Sequence, residues 1–161
     1  MRQDTELPTL GRGFYWQDLR VGQRFQTYRR TVTETDLVNF ISATGMLEAI
    51  FIDAHYEHGA IKGRPVPAAL TYSLIEGFIL QTMIQGTGLA MLELSQKIHA
   101  PVLVGDTIGA TIEVTQIRPT SKGGRAIVTS QMEVTNQRGE HVMTYTATRM
   151  LAGRPAVGSP S

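Results

Sequence analysis

Length, composition and charge restrict the class of protein before any motif is considered. A chain of 161 residues with 42% hydrophobic content is long enough for one domain with a substantial core. It has 15 Lys and Arg against 14 Asp and Glu, which excludes an overall electrostatic attraction to nucleic acid or to an anionic membrane. The absence of cysteine excludes disulfides and thiolate metal sites, and because this fits a reducing compartment we expect a cytoplasmic protein.

Residues 13–151 are predicted to form the one folded domain. Residues 1–12 and 152–161 are polar or rich in Gly, Pro and Ser, a composition typical of loosely ordered tails. Residues 1–13 contain no apolar segment of the kind that a secretory signal needs. The most apolar stretch, residues 65–83, is interrupted by polar residues and is short for a bilayer, so we expect neither export nor a membrane span.

The first predicted elements are a strand near residues 24–32 and an amphipathic helix that follows it. Thr33 is a suitable N-cap residue, and Asp36 follows at the third position after it. The apolar face of this helix consists of Leu37, Phe40 and Ile41. Gly45 is expected to end the helix, because glycine readily adopts the left-handed conformation of a helix C-terminus.

A second and longer helix is predicted over residues 67–83. It is expected to begin at Pro67, because proline is well tolerated at the first helical position. Apolar residues follow at helical spacing, namely Leu70, Leu74, Ile75, Phe78 and Ile79. A helix that is apolar almost all round has to be enclosed by other structure, and a curved sheet is one way to do this.

The remainder of the chain predicts four antiparallel strands. From Leu92 to Ile98 apolar residues alternate with polar ones, as in a strand with one buried face. Residues 108–114 and 126–134 show the same alternation, and residues 142–151 are rich in Thr, Val and Tyr. The links between them contain Gly, Pro or Asn and are suited to tight turns. Two helices and a set of antiparallel strands indicate an α+β architecture.

Four local phrases carry a resemblance to a known family. They are Phe14 to Leu19, Arg30 to Asp36, Gly63 to Pro67 and Gly105 to Ile108. Together with the order of elements, they resemble the MaoC-like acyl dehydratases, the group of the (R)-specific enoyl-CoA hydratases, over about residues 14–151. The resemblance implies the α+β hot dog fold, in which a curved antiparallel sheet wraps around one long central helix.

The resemblance also implies a chemistry and a form of assembly. Proteins of this group act as hydro-lyases on acyl-CoA or enoyl-CoA thioesters, which lie at the interface where two protomers join their sheet edges. We therefore expect a homodimer or a dimer of dimers, with (R)-specific hydration as its reaction. No cofactor, metal ion, nucleic acid or membrane is expected as a partner.

The resemblance places the catalytic loop of the group at residues 45–53. The hydratases carry an Asp and a His five residues apart there, and this chain has Met46 and Phe51 at those two positions. Neither side chain can transfer a proton, and positioned acid/base groups contribute roughly 10²–10⁴-fold to a rate. The alternative is therefore a non-catalytic subunit that binds a thioester or supports an active partner.

The substrate-binding residues implied by the resemblance lie in this loop and at the start of the long helix. They are Met46, Phe51, Pro67 and Ala68. A main-chain N–H at the helix start polarises the thioester carbonyl in the family, and Ala68 can supply that donor because it belongs to the main chain. Thioester binding is therefore expected even without the two catalytic side chains.

Three side chains are candidates to replace the missing acid/base pair. Glu48 would be a base if it were desolvated, and otherwise is a solvent-facing residue, a cap or a partner of Arg64. His55 is a candidate proton donor or an ordinary surface residue. Glu76 lies in the apolar helix, where a charge must be paired, be protonated or face a cavity. Glu76 or Glu48 would serve a hot dog thioesterase, and Glu76 is otherwise a carboxylate held by an arginine or by main-chain donors.

A basic hairpin is the last candidate site. Arg118, Lys122 and Arg125 surround a Gly-rich turn and are candidates to bind the phosphates of CoA. The alternative is a solvated hairpin loop without a ligand. The sequence leaves both interpretations open.

Overall fold

The computed structural model describes residues 7–156, and the outer parts of the two predicted tails, residues 1–6 and 157–161, lie outside the described residues. A 3-10 helix at Trp16–Asp18 comes before two short strands, three α-helices and four long strands. These elements are β1 (Arg24–Gln26), β2 (Arg30–Thr31), α1 (Glu34–Thr44), α2 (Ala49–Ile52), α3 (Ala68–Thr82), β3 (Gly88–Ile98), β4 (Thr107–Pro119), β5 (Arg125–Thr135) and β6 (His141–Ala152).

Local sequence signals determine both ends of α1. The Asp36 N–H donates to Thr33 Oγ1 at 3.1 Å, and the Thr33 N–H donates to Asp36 Oδ2 at 2.9 Å, which together close a capping box. Gly45 follows the helix with φ 74°, a left-handed conformation that glycine adopts without steric cost. Leu37 and Ile41 are buried. The predicted helix and its two boundary residues are confirmed.

The sheet has six strands and is antiparallel. Its spatial order is β1-β4-β5-β6-β3, and β2 pairs with β4 beside β1. Along β5 the residues Ala126, Val128, Met132 and Val134 are buried, and they alternate with half-buried residues on the other face. The four predicted antiparallel strands are present, and the chain has the α+β hot dog fold.

The predicted strand near residues 24–32 is interrupted, which corrects the prediction. Gln26 pairs with Thr111 and Arg30 pairs with Ile108, so three residues of this segment lie opposite only two of β4. Thr27 bridges the irregularity, since its hydroxyl oxygen accepts the N–H of the facing β4 residue at 2.9 Å. One extra residue on one strand is a β-bulge, and it divides the segment into β1 and β2.

Helix α3 packs against the inner face of the sheet. Ile75 and Ile79 are 0% and 1% exposed and belong to the single hydrophobic core. The ring of Tyr72 meets the ring of Tyr145 on β6 edge to face, with centroids 5.1 Å apart. Among residues 7–156, no helix has both the length and the apolar character needed to cross a membrane.

Strand β3 is the element that differs most from its prediction. The alternation from Leu92 to Ile98 predicts one buried face, but every residue of β3 is exposed. The reason is its place at the edge of the sheet, where it pairs only with β6. Leu80 on the neighbouring surface of α3 is also 52% exposed. A single copy of the chain therefore does not supply the buried face that the pattern predicts.

The chain remains tied to the domain just after β6. Ala152 ends β6, and the Gly153 N–H donates to the Gly124 carbonyl oxygen at 2.6 Å. The Arg154 guanidinium forms an ion pair with the Asp18 carboxylate of the 3-10 helix. The first residues of the predicted C-terminal tail are thus held by the β4–β5 hairpin and the 3-10 helix.

Candidate functional site

A cleft of about 370 Å³ opens at the start of α3. It lies between α2 and the segment before α3 on one side, and the end of β3 and the start of β6 on the other. Its lining is mainly apolar and includes Phe51, Ile61, Val66, Ile98, Val102 and Met143. Both its size and its apolar lining are typical of a site for a small organic ligand.

The first turn of α3 borders this cleft without a side-chain cap. Pro67 is the N-cap residue, with ψ 139°, and helical conformation begins at Ala68, which corrects the prediction that proline is the first helical residue. The Leu70 and Thr71 N–H groups donate to the Pro67 carbonyl oxygen at 2.9 and 3.3 Å. The two preceding N–H groups, of Ala68 and Ala69, have no intrahelical acceptor, as at any helix start. Ala68 lines the cleft, so donors at the positive end of the helix dipole are available there.

Main-chain and side-chain hydrogen bonds hold the segment before α3 in place. The Val66 N–H donates to the Val102 carbonyl oxygen at 2.9 Å, and the Val104 N–H donates to the Arg64 carbonyl oxygen at 2.9 Å. The Arg64 side chain donates to Glu34 from Nε at 3.0 Å and from Nη2 at 2.7 Å. The hydrogen bond from Arg64 holds the pKa of Glu34 below its ordinary value. The start of α3 is therefore fixed relative to α1 and to the strand segment beside the cleft.

The two positions of the family's catalytic pair lie in different environments. Phe51 is half-buried on α2 and lines the cleft. Met46 is 40% exposed and is not among the residues that line the cleft. The predicted catalytic loop also contains the short helix α2, which was not predicted from the sequence. The cleft thus presents an aromatic ring at the position where the resemblance places an imidazole.

The structure does not bring Glu48 or His55 to this cleft. Glu48 is exposed at the N-cap of α2, where its side chain makes no capping hydrogen bond. Arg64, a partner considered for Glu48, is bound instead to Glu34. His55 is exposed, and its main-chain N–H donates to Asp53 Oδ1 at 2.9 Å. Both residues remain candidates from the sequence alone.

Glu76 lies further along α3, in a buried cluster. Nη2 of Arg149 donates to both carboxylate oxygens of Glu76 at 2.5 Å, and the Tyr145 hydroxyl donates to Oε1 at 2.8 Å. Burial and the neighbouring Glu76 carboxylate raise the pKa values of Tyr145 and Tyr72. Of the interpretations of Glu76 that the sequence allows, the observed arrangement is the carboxylate held by an arginine. Glu76 and Arg149 border a second cleft, of about 420 Å³, formed with the C-terminal half of α3 and the start of β3.

The basic hairpin lies at the opposite end of the sheet from the first cleft. Arg118, Lys122 and Arg125 are exposed at the β4–β5 connection, and Arg125 pairs with Ala152 at the end of β6. The cleft borders Val142 at the start of β6. At about 3.3 Å per residue, the two ends of this strand are roughly 30 Å apart. A single chain therefore does not bring these cations to the cleft.

Two polar residues of the cleft lining, Thr71 and His99, were not predicted as site residues. His99 Nε2 lies 2.9 Å from Thr144 Oγ1, and Thr144 alternates with the buried Met143 and Tyr145 along β6. The imidazole therefore lies toward the outer face of the sheet, at the rim of the cleft. Thr71 is 2% exposed and lines the cleft itself. Within residues 7–156, no three His, Cys, Asp or Glu side chains come together as a candidate metal site.

The sequence held one signal for Thr71. It lies three residues after Ala68 on a predicted helix, and residues at this spacing share a helix face. A predicted main-chain donor at Ala68 therefore also indicates which side chain lies beside it. The position of His99 depends on the pairing of β3 with β6, which is not visible in the sequence near it.

Comparisons with known proteins agree with this architecture. Residues 20–145 match the family model described as "FAS1-like, dehydratase domain region". The 3-hydroxybutyryl-CoA dehydratase of Methylorubrum extorquens is 26% identical over 123 residues, which cover 76% of this chain and 77% of that protein. The (R)-specific enoyl-CoA hydratase of Rhodospirillum rubrum is 28% identical over 109 residues, covering 67% of this chain and 74% of that protein. The crystal structure of a MaoC-like dehydratase from Rhodospirillum rubrum superposes with a TM-score of 0.78 at 25% identity, covering 89% of this chain and 100% of that chain.

Proposed function

Because this chain belongs to the FAS1-like dehydratase domain family and is similar in structure to a MaoC-like dehydratase, we propose that it binds an acyl- or enoyl-CoA thioester and acts on it as a hydro-lyase. The site of the proposed reaction is the cleft at the first turn of α3. The reaction adds water across the double bond of an enoyl thioester, or removes it from the 3-hydroxyacyl thioester in the reverse direction.

The uncapped first turn of α3 in an apolar cleft is the observation that carries this proposal. When water adds to C3 of an enoyl thioester, negative charge develops on the carbonyl oxygen. A main-chain donor such as the Ala68 N–H, at the positive end of a helix, stabilises that charge, and it does so most effectively where water is excluded. Pro67 leaves these donors free because its side chain cannot cap the helix.

The walls of the cleft suit an acyl chain. Ile61, Val66, Ile98 and Met143 offer apolar surface close to the first turn of α3. Each methylene group that is transferred from water to such a surface contributes about 0.8 kcal/mol to binding. The same donors and walls would bind the thioester carbonyl and the start of its acyl chain together.

A second copy of the chain is part of the proposal. Strand β3 is an exposed edge that carries Leu92, Leu94 and Ile98, and such an edge requires cover. Antiparallel pairing of two β3 edges would continue the sheet from one protomer into its partner. The start of one β3 would then lie beside the end of the other. The β4–β5 hairpin lies near the start of β3, whereas the cleft lies at the end of β3. In such a dimer the hairpin of one protomer would therefore lie at the same end as the cleft of the other. The proposed phosphate-binding cations, Arg118, Lys122 and Arg125, are therefore assigned to the CoA bound by the opposite protomer.

Thioester binding without turnover is the second candidate function. It is favoured by Met46 and Phe51 at the two positions of the catalytic pair. It is also favoured by the cleft lining, which contains no carboxylate among residues 7–156. Thioester hydrolysis has less support. The carboxylate of Glu76 is held by Arg149 and Tyr145, and Glu48 is exposed outside the cleft.

One set of assays separates these functions. Binding of butyryl-CoA is measured by calorimetry, hydration of crotonyl-CoA by loss of the enoyl absorbance, and hydrolysis by release of free thiol. The proposed function predicts butyryl-CoA binding together with hydration above background. Binding with background hydration selects the non-catalytic function, and thiol release selects the thioesterase. A chain that binds no acyl-CoA, with short or long acyl groups, would remove the proposal altogether.

A further inference from the structure

Thr71 has the only buried hydroxyl in the cleft lining of the described chain. It lies in the first turn and a half of α3, three residues after Ala68, and is 2% exposed. None of the hydrogen bonds among residues 7–156 involves its Oγ1 atom, and Thr71 lines the cleft. A buried polar group without a partner has a free-energy cost that a ligand can remove.

The other serine and threonine hydroxyls of α3, unlike that of Thr71, have acceptors within the helix. The Ser73 hydroxyl donates to the Ala69 carbonyl oxygen at 2.7 Å, and the Thr82 hydroxyl donates to the Phe78 carbonyl oxygen at 2.6 Å. Both use the carbonyl four residues earlier, which is the usual acceptor for such residues in a helix. The corresponding carbonyl for Thr71 belongs to Pro67 and already accepts the N–H groups of Leu70 and Thr71.

We propose that the Thr71 hydroxyl recognises the oxygen atom on C3 of the acyl chain, and so selects 3-hydroxyacyl thioesters over saturated ones. This inference rests on the proposed binding of the thioester at the first turn of α3. In the hydration direction the same hydroxyl holds the water molecule that attacks C3. Thr71 is a specificity-determining residue in this proposal, and it transfers no proton to carbon.

The spacing along α3 fits the two oxygen atoms of such a substrate. Residues three apart on a helix are neighbours on one face, with Cβ atoms about 5–6 Å apart. The Ala68 N–H would hold the carbonyl oxygen on C1, and the Thr71 hydroxyl would hold the oxygen on C3, each at about 2.7–3.0 Å. A hydroxyl serves both forms of the substrate, because it can donate to the C3 oxygen or accept from its O–H.

The test compares two ligands that differ by this one oxygen atom. Dissociation constants of (R)-3-hydroxybutyryl-CoA and butyryl-CoA are measured for the unmodified chain and for Thr71→Val, Thr71→Ala and Thr71→Ser. Thr71→Val keeps the shape of the side chain and removes the hydroxyl, whereas Thr71→Ser keeps the hydroxyl. Thr82→Val is the matched control, because it removes a hydroxyl from the same helix outside the cleft.

We expect Thr71→Val and Thr71→Ala to weaken binding of (R)-3-hydroxybutyryl-CoA about 3- to 10-fold, the effect of one neutral hydrogen bond, and to change butyryl-CoA binding less than about twofold. Thr71→Ser and Thr82→Val should preserve the ratio of the two constants. The inference about Thr71 is overturned if both ligands weaken equally or if neither changes. Thr71→Ala provides the same ratio if Thr71→Val does not fold. If the unmodified chain binds neither ligand, the proposed function itself fails.

Discussion

The two halves of helix α3 differ in whether their polar groups have hydrogen-bond partners. The first turn borders an apolar cleft with an uncapped main chain and one free hydroxyl, that of Thr71. Two turns later, Glu76 is buried with an arginine and a tyrosine that bind both of its carboxylate oxygens. The one carboxylate of α3 is therefore engaged by partners, whereas the groups at the first turn that are available to a ligand carry no charge.

This difference shows why a buried carboxylate is not by itself an indication of catalysis. A buried charge needs partners for structural reasons, and an ion pair that satisfies it can have no further role. The cleft at the start of α3 offers donors that act through the helix main chain, which substitution of side chains leaves in place. The sequence of α3 indicates Glu76 as a candidate functional residue, whereas the geometry of the cleft indicates Ala68 and Thr71.

The largest expected effect comes from placing ionisable groups in the loop after α1 and on α2, the segment that precedes the cleft at the first turn of α3. The double substitution Met46→Asp with Phe51→His restores the residue types that the resemblance assigns to the catalytic pair. Crotonyl-CoA hydration is expected to rise roughly 10²–10⁴-fold, the usual contribution of positioned acid/base groups. The initial rate of hydration at saturating crotonyl-CoA measures this effect.

The single substitutions are the controls for this gain. Phe51→His places an imidazole in the cleft lining, and Met46→Asp places a carboxylate at an exposed position, so each alone should give a much smaller increase. A double variant that still binds butyryl-CoA but hydrates at the unmodified rate would show that the cleft does not position the C3 atom for attack.

The second effect tests the other half of α3. Arg149→Met removes the cation and leaves Glu76 buried without its charge partner. We expect the free energy of unfolding to fall by about 3–5 kcal/mol, the usual cost of breaking a buried ion pair from one side. Urea denaturation measures this change. The double variant Glu76→Leu with Arg149→Met should regain most of the lost stability. Equal stability of the unmodified chain, the Arg149→Met variant and the double variant would contradict a structural role for the pair.

Sequence information was sufficient where the interacting residues are neighbours in the chain. The capping box of α1 joins Thr33 to Asp36, and Gly45 ends the helix by its own backbone preference. The alternation of β5 and the apolar spacing of α3 also needed only a short window. These local patterns, with the order of the elements, were enough for the fold class.

The missed features depend on contacts between distant residues. Arg149 lies 73 residues from Glu76, so the partner of the carboxylate could not be identified from the helix sequence. The bulge between β1 and β2 depends on how that segment pairs with β4. The exposed face of β3 is a third case, because its alternation reflects burial that a single chain does not provide. The first two features are decided by contacts between distant parts of the chain. The third depends on the proposed assembly of two chains.

A third effect concerns the main-chain donor itself. Ala68→Pro removes one N–H at the first helical position, where proline is favourable, and the ψ of 139° at the preceding residue is compatible with proline. We expect hydration to fall about 10²-fold, because one donor to a developing oxyanion contributes at least this much. Ala68→Gly keeps the N–H and is the control. If the proline and glycine variants hydrate crotonyl-CoA equally fast, the thioester carbonyl does not bind at this donor.

The smallest effect is a pH dependence from the buried cluster. Burial and the Glu76 carboxylate raise the pKa of Tyr145, so it stays protonated in the folded chain, whereas tyrosines of the unfolded chain ionise above about pH 10. The folded state then retains a proton that the unfolded state has lost. The stabilisation is therefore complete below about pH 10, and the free energy of unfolding falls as the pH rises above it, by up to about 1.4 kcal/mol per pH unit.

Tyr145→Phe should flatten this alkaline loss, with a smaller slope remaining from Tyr72, whose pKa is raised by the same causes. Tyr28→Phe is the matched control, because Tyr28 is 86% exposed and should leave the slope unchanged. Urea denaturation between about pH 9 and 11 measures both slopes. Equal slopes for the two variants would mean that Tyr145 ionises as readily in the folded chain as in the unfolded one. The Glu76 half of α3 would then be open to solvent, and the contrast with the cleft at the first turn would no longer hold.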